Sequence, residues 1–293
     1  MAVTILTRRV RKYLFYLSVF ATCWGIIYPL FNMVSEGLDA DLASFWAGKA
    51  FEVIGNIPFY SGGFHPNLVN FVNAIQIDAF PKLIVNSTVI CLLSVAMALS
   101  AGIPAGYFLA RSGLQGRKPV EFLILALRTV LPFAIVVPLF LLFSRNGLWN
   151  TYFGVAVAYL ALNVPVVVLM LRSFFAEVPK EIYEAAEMSG ASERQIFRRI
   201  ALPTILLGVI ATAIFAFVLL YNEFLIADIL TGGATKTVTV GVWTGAGENI
   251  SSFKTVDYGE SNMYGTIAFI PAFIIILAIR KYLARGFTLA TTR

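Results

Sequence analysis

Charge is scarce in this chain. Only 13% of its 293 residues are Asp, Glu, Lys or Arg, against about 25% in an ordinary soluble domain. That deficit excludes a solvated globular surface of normal extent, and the 59% hydrophobic share with a mean hydropathy of +0.81 points the same way. Histidine is nearly missing: His65 stands alone, and the two cysteines, Cys23 and Cys91, both lie inside apolar runs. A His/Cys metal cluster and a disulfide framework therefore have no material, and the cysteines read as small packing residues. No Gly-x-x-x-x-Gly-Lys-Ser/Thr phosphate loop occurs, so no nucleotide cradle of that kind is expected in this chain. The net charge of +6 would suit nucleic acid, but the basic residues flank apolar runs instead of forming a stripe among aromatics. A membrane accounts for them without a nucleic-acid partner.

Long apolar runs are what the chain has in abundance. About 20 apolar residues cross a hydrocarbon core about 30 Å thick, and six stretches reach that length: residues 13–33, 83–110, 120–143, 152–175, 204–230 and 263–283. The first follows Arg8-Arg9-Val10-Arg11-Lys12. It is too long for the core of a cleaved signal peptide, about 7 to 15 residues, and no small-residue cleavage site follows. The expected fold is an all-α integral membrane protein, a six-transmembrane-helix bundle with a tail over 1–12, an outer loop over 34–82, a core over 83–285 and a second tail over 286–293. Basic residues crowd one set of ends, at 8–12, 111–118, 172–199 and 280–293, while the other side carries only Lys49, Lys82, Arg145, Lys236 and Lys254. That asymmetry predicts both termini, and the segment 177–203, on the cytoplasmic side.

The first outer loop is rich in Gly and Pro up to Pro66, and then shows Leu68, Val69, Phe71, Val72, Ile75 and Phe80 at near-helical spacing. Either an interfacial amphipathic helix or a loop helix packed on the span tops fits that pattern. The second, 231–262, opens with Gly232-Gly233, can reach toward an external partner, and carries the glycan-acceptor pattern Asn249-Ile250-Ser251. Pro104, Pro132, Pro138, Pro165 and Pro271 fall inside spans and are expected to kink them. Gly102 and Gly106 form a small-residue pattern for close helix approach, within one subunit or between two. Ionisable groups in lipid cost about 2.5 to 3.5 kcal/mol each on insertion scales. Glu121 and Asp228 lie near span ends and reach water. Two readings are open for Arg128, Asn222 and Glu223, with Tyr221 beside them: they line a polar path or meet partner helices, or they form satisfied structural pairs.

The most polar long segment is 177–203. Pro179 suits the first turn of a helix, and Lys180 to Ser189 are good helix formers with a small face at Ala185 and Ala186. Gly190 supplies a stop. Ser192 and Gln195 have capping-box spacing, opening a second short helix with Ile196, Phe197 and Ile200 on one side and ending at Pro203. The expectation is a helix, a sharp turn and a helix in water, a surface for a partner to dock on.

Glu184-Ala185-Ala186, Gly190, and Ile200-Ala201-Leu202-Pro203 resemble the EAA loop, the coupling segment of ABC-importer permease subunits. Thr151-Tyr152-Phe153, Leu171-Arg172-Ser173-Phe174-Phe175, Gly190-Ala191-Ser192, Ile196-Phe197-Arg198-Arg199 and Tyr221-Asn222-Glu223-Phe224 resemble the carbohydrate-importer branch of that family, and within it the shorter, six-span, MalG-like maltose/trehalose permeases. The likeness runs from about residue 83 to the C-terminus, where Arg285-Gly286-Phe287-Thr288 is similar to the branch's Arg-Gly-Leu-Thr ending. Tyr221 stands where the branch usually has Trp, and the first outer loop is longer than usual.

The resemblance implies a type I ABC importer (MetI-like) bundle with a cytoplasmic coupling helix in the cell (inner) membrane. It implies a non-catalytic subunit that pairs with a second permease, most simply as a heterodimer, and with two ATPase subunits that bind ATP and Mg. An extracytoplasmic binding protein would deliver a mono- or oligosaccharide, and no cofactor is implied in this chain. It assigns Glu184, Ala185, Ala186, Gly190, Ile200, Leu202 and Pro203 to ATPase coupling, while Arg128, Tyr221, Asn222 and Glu223 are the candidates for the translocation path. The alternatives are a permease for a non-sugar solute, or a channel, carrier or membrane scaffold outside this family.

Overall fold

The computed structural model describes residues 79–111 and 117–243, with parts of 16–34 and 264–277. The chain divides into two units, Met1–Asp78 with Asn249–Ile267, and Ala79–Glu248 with Ala268–Arg293. In the first, the described residues of 16–34 and of 264–267 are helical. A Cβ placed on Gly265 would lie 3.3 Å from Met33 Sδ, so these two helices touch. Phe80, from the expected helix within 66–80, opens the next helix and is buried, while the rest of that stretch, the sequon at Asn249 and both tails lie outside the described residues.

The second unit is built from α1 (Ala79–Arg111), α2 (Arg117–Arg145), α3 (Tyr152–Ala176), α4 (Lys180–Met188), α5 (Glu193–Ile196), a π turn (Phe197–Ala201), α6 (Leu202–Thr204), α7 (Leu206–Tyr221), α8 (Leu225–Leu230) and α9 (Val238–Trp243). The order follows from composition. The first three are long and apolar: lipid admits apolar side chains, and a helix pairs its own backbone groups where no water can. α1 has 33 residues, about 50 Å at about 1.5 Å per residue, and so outruns a hydrocarbon core of about 30 Å. Pro104 and Pro165 sit inside helices that continue on both sides of them. α3 starts at Thr151, whose hydroxyl accepts the Gly154 N–H at 3.0 Å.

α1 and α3 form the spine of this unit. Gly102 and Gly106 face α3: a Cβ on Gly102 would lie 2.6 Å from Val167 Cγ1, and one on Gly106 would lie 3.0 Å from the Arg172 backbone nitrogen. The small-residue pattern thus packs two helices of the same chain. α7 uses the same device, with Gly208 lying under the Phe174 ring. Ile90, Ala98, Val155, Val167 and Leu171 are fully buried in this seam. Glu121 of α2 does not merely reach water: its carboxylate lies 3.0 Å from Arg172 Nε of α3.

The fifth apolar stretch is not the single span expected over 204–230. α5 to α6 meet α7 at a bend of 70°, and α7 ends at Tyr221, leaving Asn222 to Phe224 outside any helix before α8. Two local causes are visible. Pro203 has no N–H to return to the preceding turn, and ahead of it Leu202 N–H bonds back to Phe197 O, widening the helix to π. At the far end Asn222 Nδ2 donates to Val218 O at 2.7 Å, while Glu223 Oε1 accepts the Ile226 N–H at 3.2 Å and so starts α8 afresh.

Candidate functional site

α4 owes its place to what flanks it. Val178 is buried and Pro179 leads into the first turn with ψ 136°. At the other end Gly190 takes φ 76°, its N–H donates to Glu187 O at 2.9 Å, and Ala191 N–H donates to Ala186 O at 3.1 Å. Those two bonds are a Schellman closure, which favours glycine because the left-handed conformation penalises a Cβ. The chain turns and restarts at Ser192, whose N–H donates to Gln195 Oε1 at 2.7 Å, the return half of a capping box.

The turn sorts the side chains. Glu181, Ile182, Glu184, Ala185 and Met188 are exposed, Met188 at 91%, whereas Ala186 and Ile196 are buried against their own chain. Of the residues expected at a coupling site, Glu184 and Ala185 share the exposed face of α4, Ala186 faces inward and Gly190 shapes the turn. Ile200 and Leu202 are half-buried, Pro203 is exposed, and all three belong to the bent connection into α7. Arg194, Arg198 and Arg199 are exposed on the same connection.

A clasp absent from the sequence expectations holds this element to the end of α1. Arg111 Nε lies 2.7 Å from Glu193 Oε1, its terminal nitrogen pairs with Glu187, and its guanidinium sits 4.8 Å above the Tyr183 ring. One turn earlier, Tyr107 OH donates to Glu193 Oε1 at 3.2 Å. The Tyr107 ring packs at 5.3 Å from Phe175 and 4.9 Å from Phe197, joining α1, α3 and the π turn. Burial pushes the Tyr183 phenol above its ordinary range; Arg111 opposes that rise and Glu193 adds to it. The available signal was Tyr107 and Arg111 at i, i+4, a spacing that puts both on one helix face.

A second constellation surrounds the break after α7. Tyr221 is buried and stacks on Phe217 at 5.6 Å, and Asn222 is exposed. The Glu223 carbonyl accepts from Tyr159 OH at 3.2 Å and from Thr239 Oγ1 at 3.0 Å. Tyr221, Asn222 and Glu223 are therefore consecutive around one helix interruption. Arg128 lies on α2, and its side chain is outside the described residues.

The described residues after α8, 231–243, do not stand off as a free loop. Asn86 Nδ2 donates to Ala234 O at 3.1 Å and to Lys236 O at 3.0 Å, Ser87 Oγ accepts the Val238 N–H at 2.8 Å, and Tyr152 OH donates to Asn86 Oδ1 at 2.6 Å. Asn150, in the left-handed region at φ 57°, turns its Oδ1 to the Gly232 N–H at 2.9 Å and the Thr235 hydroxyl at 2.7 Å. Thr235, Thr237, Val238 and Val240 are consequently buried.

Residues 102–288 match the family described as binding-protein-dependent transport system inner membrane component. The chain is 32% identical over 234 residues to a probable ABC transporter permease protein, y4oR, of Sinorhizobium fredii, covering 78% of this chain and 81% of that one. It is 29% identical over 230 residues to the diacetylchitobiose uptake system permease protein NgcG of Streptomyces coelicolor, covering 78% and 75%. In shape it is similar to a chain of a bacterial ABC transporter involved in the import of the acidic polysaccharide alginate, with a TM-score of 0.71, 17% identity, and 94% and 96% of the two chains covered.

Proposed function

Since the chain belongs to the binding-protein-dependent transport system inner membrane components, the permease subunits of ABC importers, we propose that it carries sugar, and that it receives work from ATP through the α4 turn. The relatives named for diacetylchitobiose uptake and for alginate import support a mono- or oligosaccharide as the solute. Tyr221, Asn222 and Glu223 at the helix break are the proposed path-lining group, with Arg128 as a further candidate.

One observation carries the coupling reading. α4 holds Glu184, Ala185 and Met188 outward beside a doubly hydrogen-bonded turn, while Ala186 and the Arg111 clasp join its other side to the chain itself. An exposed face with a braced back suits a partner that pushes or pulls. The proposed partner is one of two ATPase subunits that bind ATP and Mg and hydrolyse the nucleotide outside this chain. A second permease completes the path, and an extracytoplasmic binding protein delivers the sugar. α4 and both termini lie on the cytoplasmic side.

Co-purification tests the docking claim. Glu184→Lys together with Gly190→Asp should release the ATPase and abolish uptake; a double variant that keeps the ATPase and transports with ATP would sink it. For the solute, proteoliposomes holding the complete importer are to be offered radiolabelled maltose, trehalose, chitobiose, phosphate and an amino-acid mixture. ATP-dependent accumulation confined to the sugars is expected, and accumulation of phosphate or amino acids alone would overturn the sugar reading.

A further inference from the structure

α1 is gripped near both ends by two other parts of the chain. Near its start, Asn86 donates two hydrogen bonds to the 234–238 segment and Ser87 accepts one from it. At its last residue, Arg111 binds Glu187 and Glu193 and covers the Tyr183 ring. The two grips stand about 37 Å apart along the axis at about 1.5 Å per residue. Between them α1 is seated on α3 through Gly102 and Gly106, so closely that a Cβ on Gly106 would lie 3.2 Å from Val168 O. A helix backed in this way transmits displacement along its length instead of absorbing it.

We infer that α1 is a strut linking the α4 turn to the 231–243 segment, and that Arg111 is the positioning residue that fixes the turn to the strut. The inference rests on the reading that an ATPase docks on α4. Arginine is suited to the role by geometry more than by charge. Glu187 and Glu193 are 52% and 60% exposed, where a simple ion pair contributes little. One planar guanidinium, however, reaches two carboxylates from two elements while lying over an aromatic face, which an ammonium group does not reproduce. Without it, Glu187 and Glu193 face each other with no cation between them, and α4 and α5 lose their common anchor on α1.

Trp243 offers a place to read motion at the far end, being 77% exposed at the close of α9 with its ring 5.7 Å from Phe224. The experiment uses the complete importer in proteoliposomes, with Cys23→Ser and Cys91→Ser, and a spin label on Trp243→Cys. The label's spectral change on adding ATP with vanadate is measured beside ATPase co-purification and ATP hydrolysis. With Arg111 intact the spectrum should change. With Arg111→Gln the change should fall about tenfold, within the range of coupling between linked sites, while the ATPase stays bound and hydrolyses ATP. Arg111→Lys, which keeps the charge without the planar fork, should lower the change as well.

An undiminished change in Arg111→Gln overturns the strut, as does a spectrum that never responds, and an undiminished change in Arg111→Lys overturns the geometric role given to Arg111. Loss of the ATPase from Arg111→Gln overturns it too, since Arg111 would then build the docking face itself. If the unsubstituted chain holds no ATPase, it is the docking reading that fails, and that outcome is separate from all the others.

Discussion

Gly106 lies inside a helix contact and Gly190 at an open turn, so their substitution costs arise differently. A Cβ on Gly106 would meet Arg172 N and Leu171 Cβ, each at 3.0 Å, so Gly106→Ala forces α1 and α3 apart. Overpacking of that kind costs about 1 to 3 kcal/mol. At Gly190 a Cβ meets nothing within 4 Å, but the backbone is at φ 76°, and an L side chain there costs about 1 to 2 kcal/mol in conformation alone. Thermal unfolding of the purified importer should therefore shift downward for both. The ATPase-bound fraction should fall more for Gly190→Ala, because only that residue closes α4. Equal binding in the two variants would argue that the turn's shape is irrelevant to docking. Asn86→Ala is a third case: it removes two donated bonds and the acceptor for Tyr152 from a buried site. A loss of about 1 to 3 kcal/mol is expected, read as a lower unfolding temperature together with faster proteolysis within 231–243.

At the scale of elements, what the sequence made legible and what it hid have physical reasons. The α4 turn could be read in advance because its signals are local: Pro179 before the helix, Gly190 after it, and Ser192 with Gln195 at the restart all act within four residues. The three long helices were legible for the same reason, since apolar length is written in the chain. The break at 222–224 was not, because Leu225 to Leu230 continue the apolar composition of α7 and nothing in hydropathy distinguishes a span from a span and a cap. The signal was Asn222-Glu223, two residues whose side chains bond nearby backbone; the sequence leaves a polar path and satisfied structural pairs both open there, and neither reading is a helix break. The Arg111 clasp was hidden because it is tertiary: Glu187 and Glu193 lie 76 and 82 residues further along the chain. Glu223→Ala tests the break. It removes the acceptor for the Ile226 N–H and should fray α8, with faster amide exchange at Ile226 to Leu230 and unchanged exchange in the middle of α7. Slowed exchange through 222–230 would instead show that the glutamate interrupts a helix that would otherwise run on.

At the scale of the whole molecule, the outward apolar residues and the basic residues set orientation together. Val85, Val89 and Leu92 of α1 and Phe122, Leu123, Val137, Leu141 and Leu142 of α2 are exposed, a surface that water does not tolerate over such an extent and that suits lipid. Which way the bundle faces is then decided by charge. Arg111 ends α1, Arg172 lies in the last turns of α3, and Lys180, Arg194, Arg198 and Arg199 follow from α4 to the π turn, whereas Arg145 ends α2 and Lys236 lies between α8 and α9. Because Lys and Arg stay cytoplasmic during insertion, Ser189→Cys should react with a membrane-impermeant maleimide only in permeabilised cells, and Lys236→Cys in intact ones. Reversed labelling would place α4 outside, beyond the reach of any ATP-consuming partner. The proposed coupling role and the α1 strut would then fail together, while the fold and the family would stand.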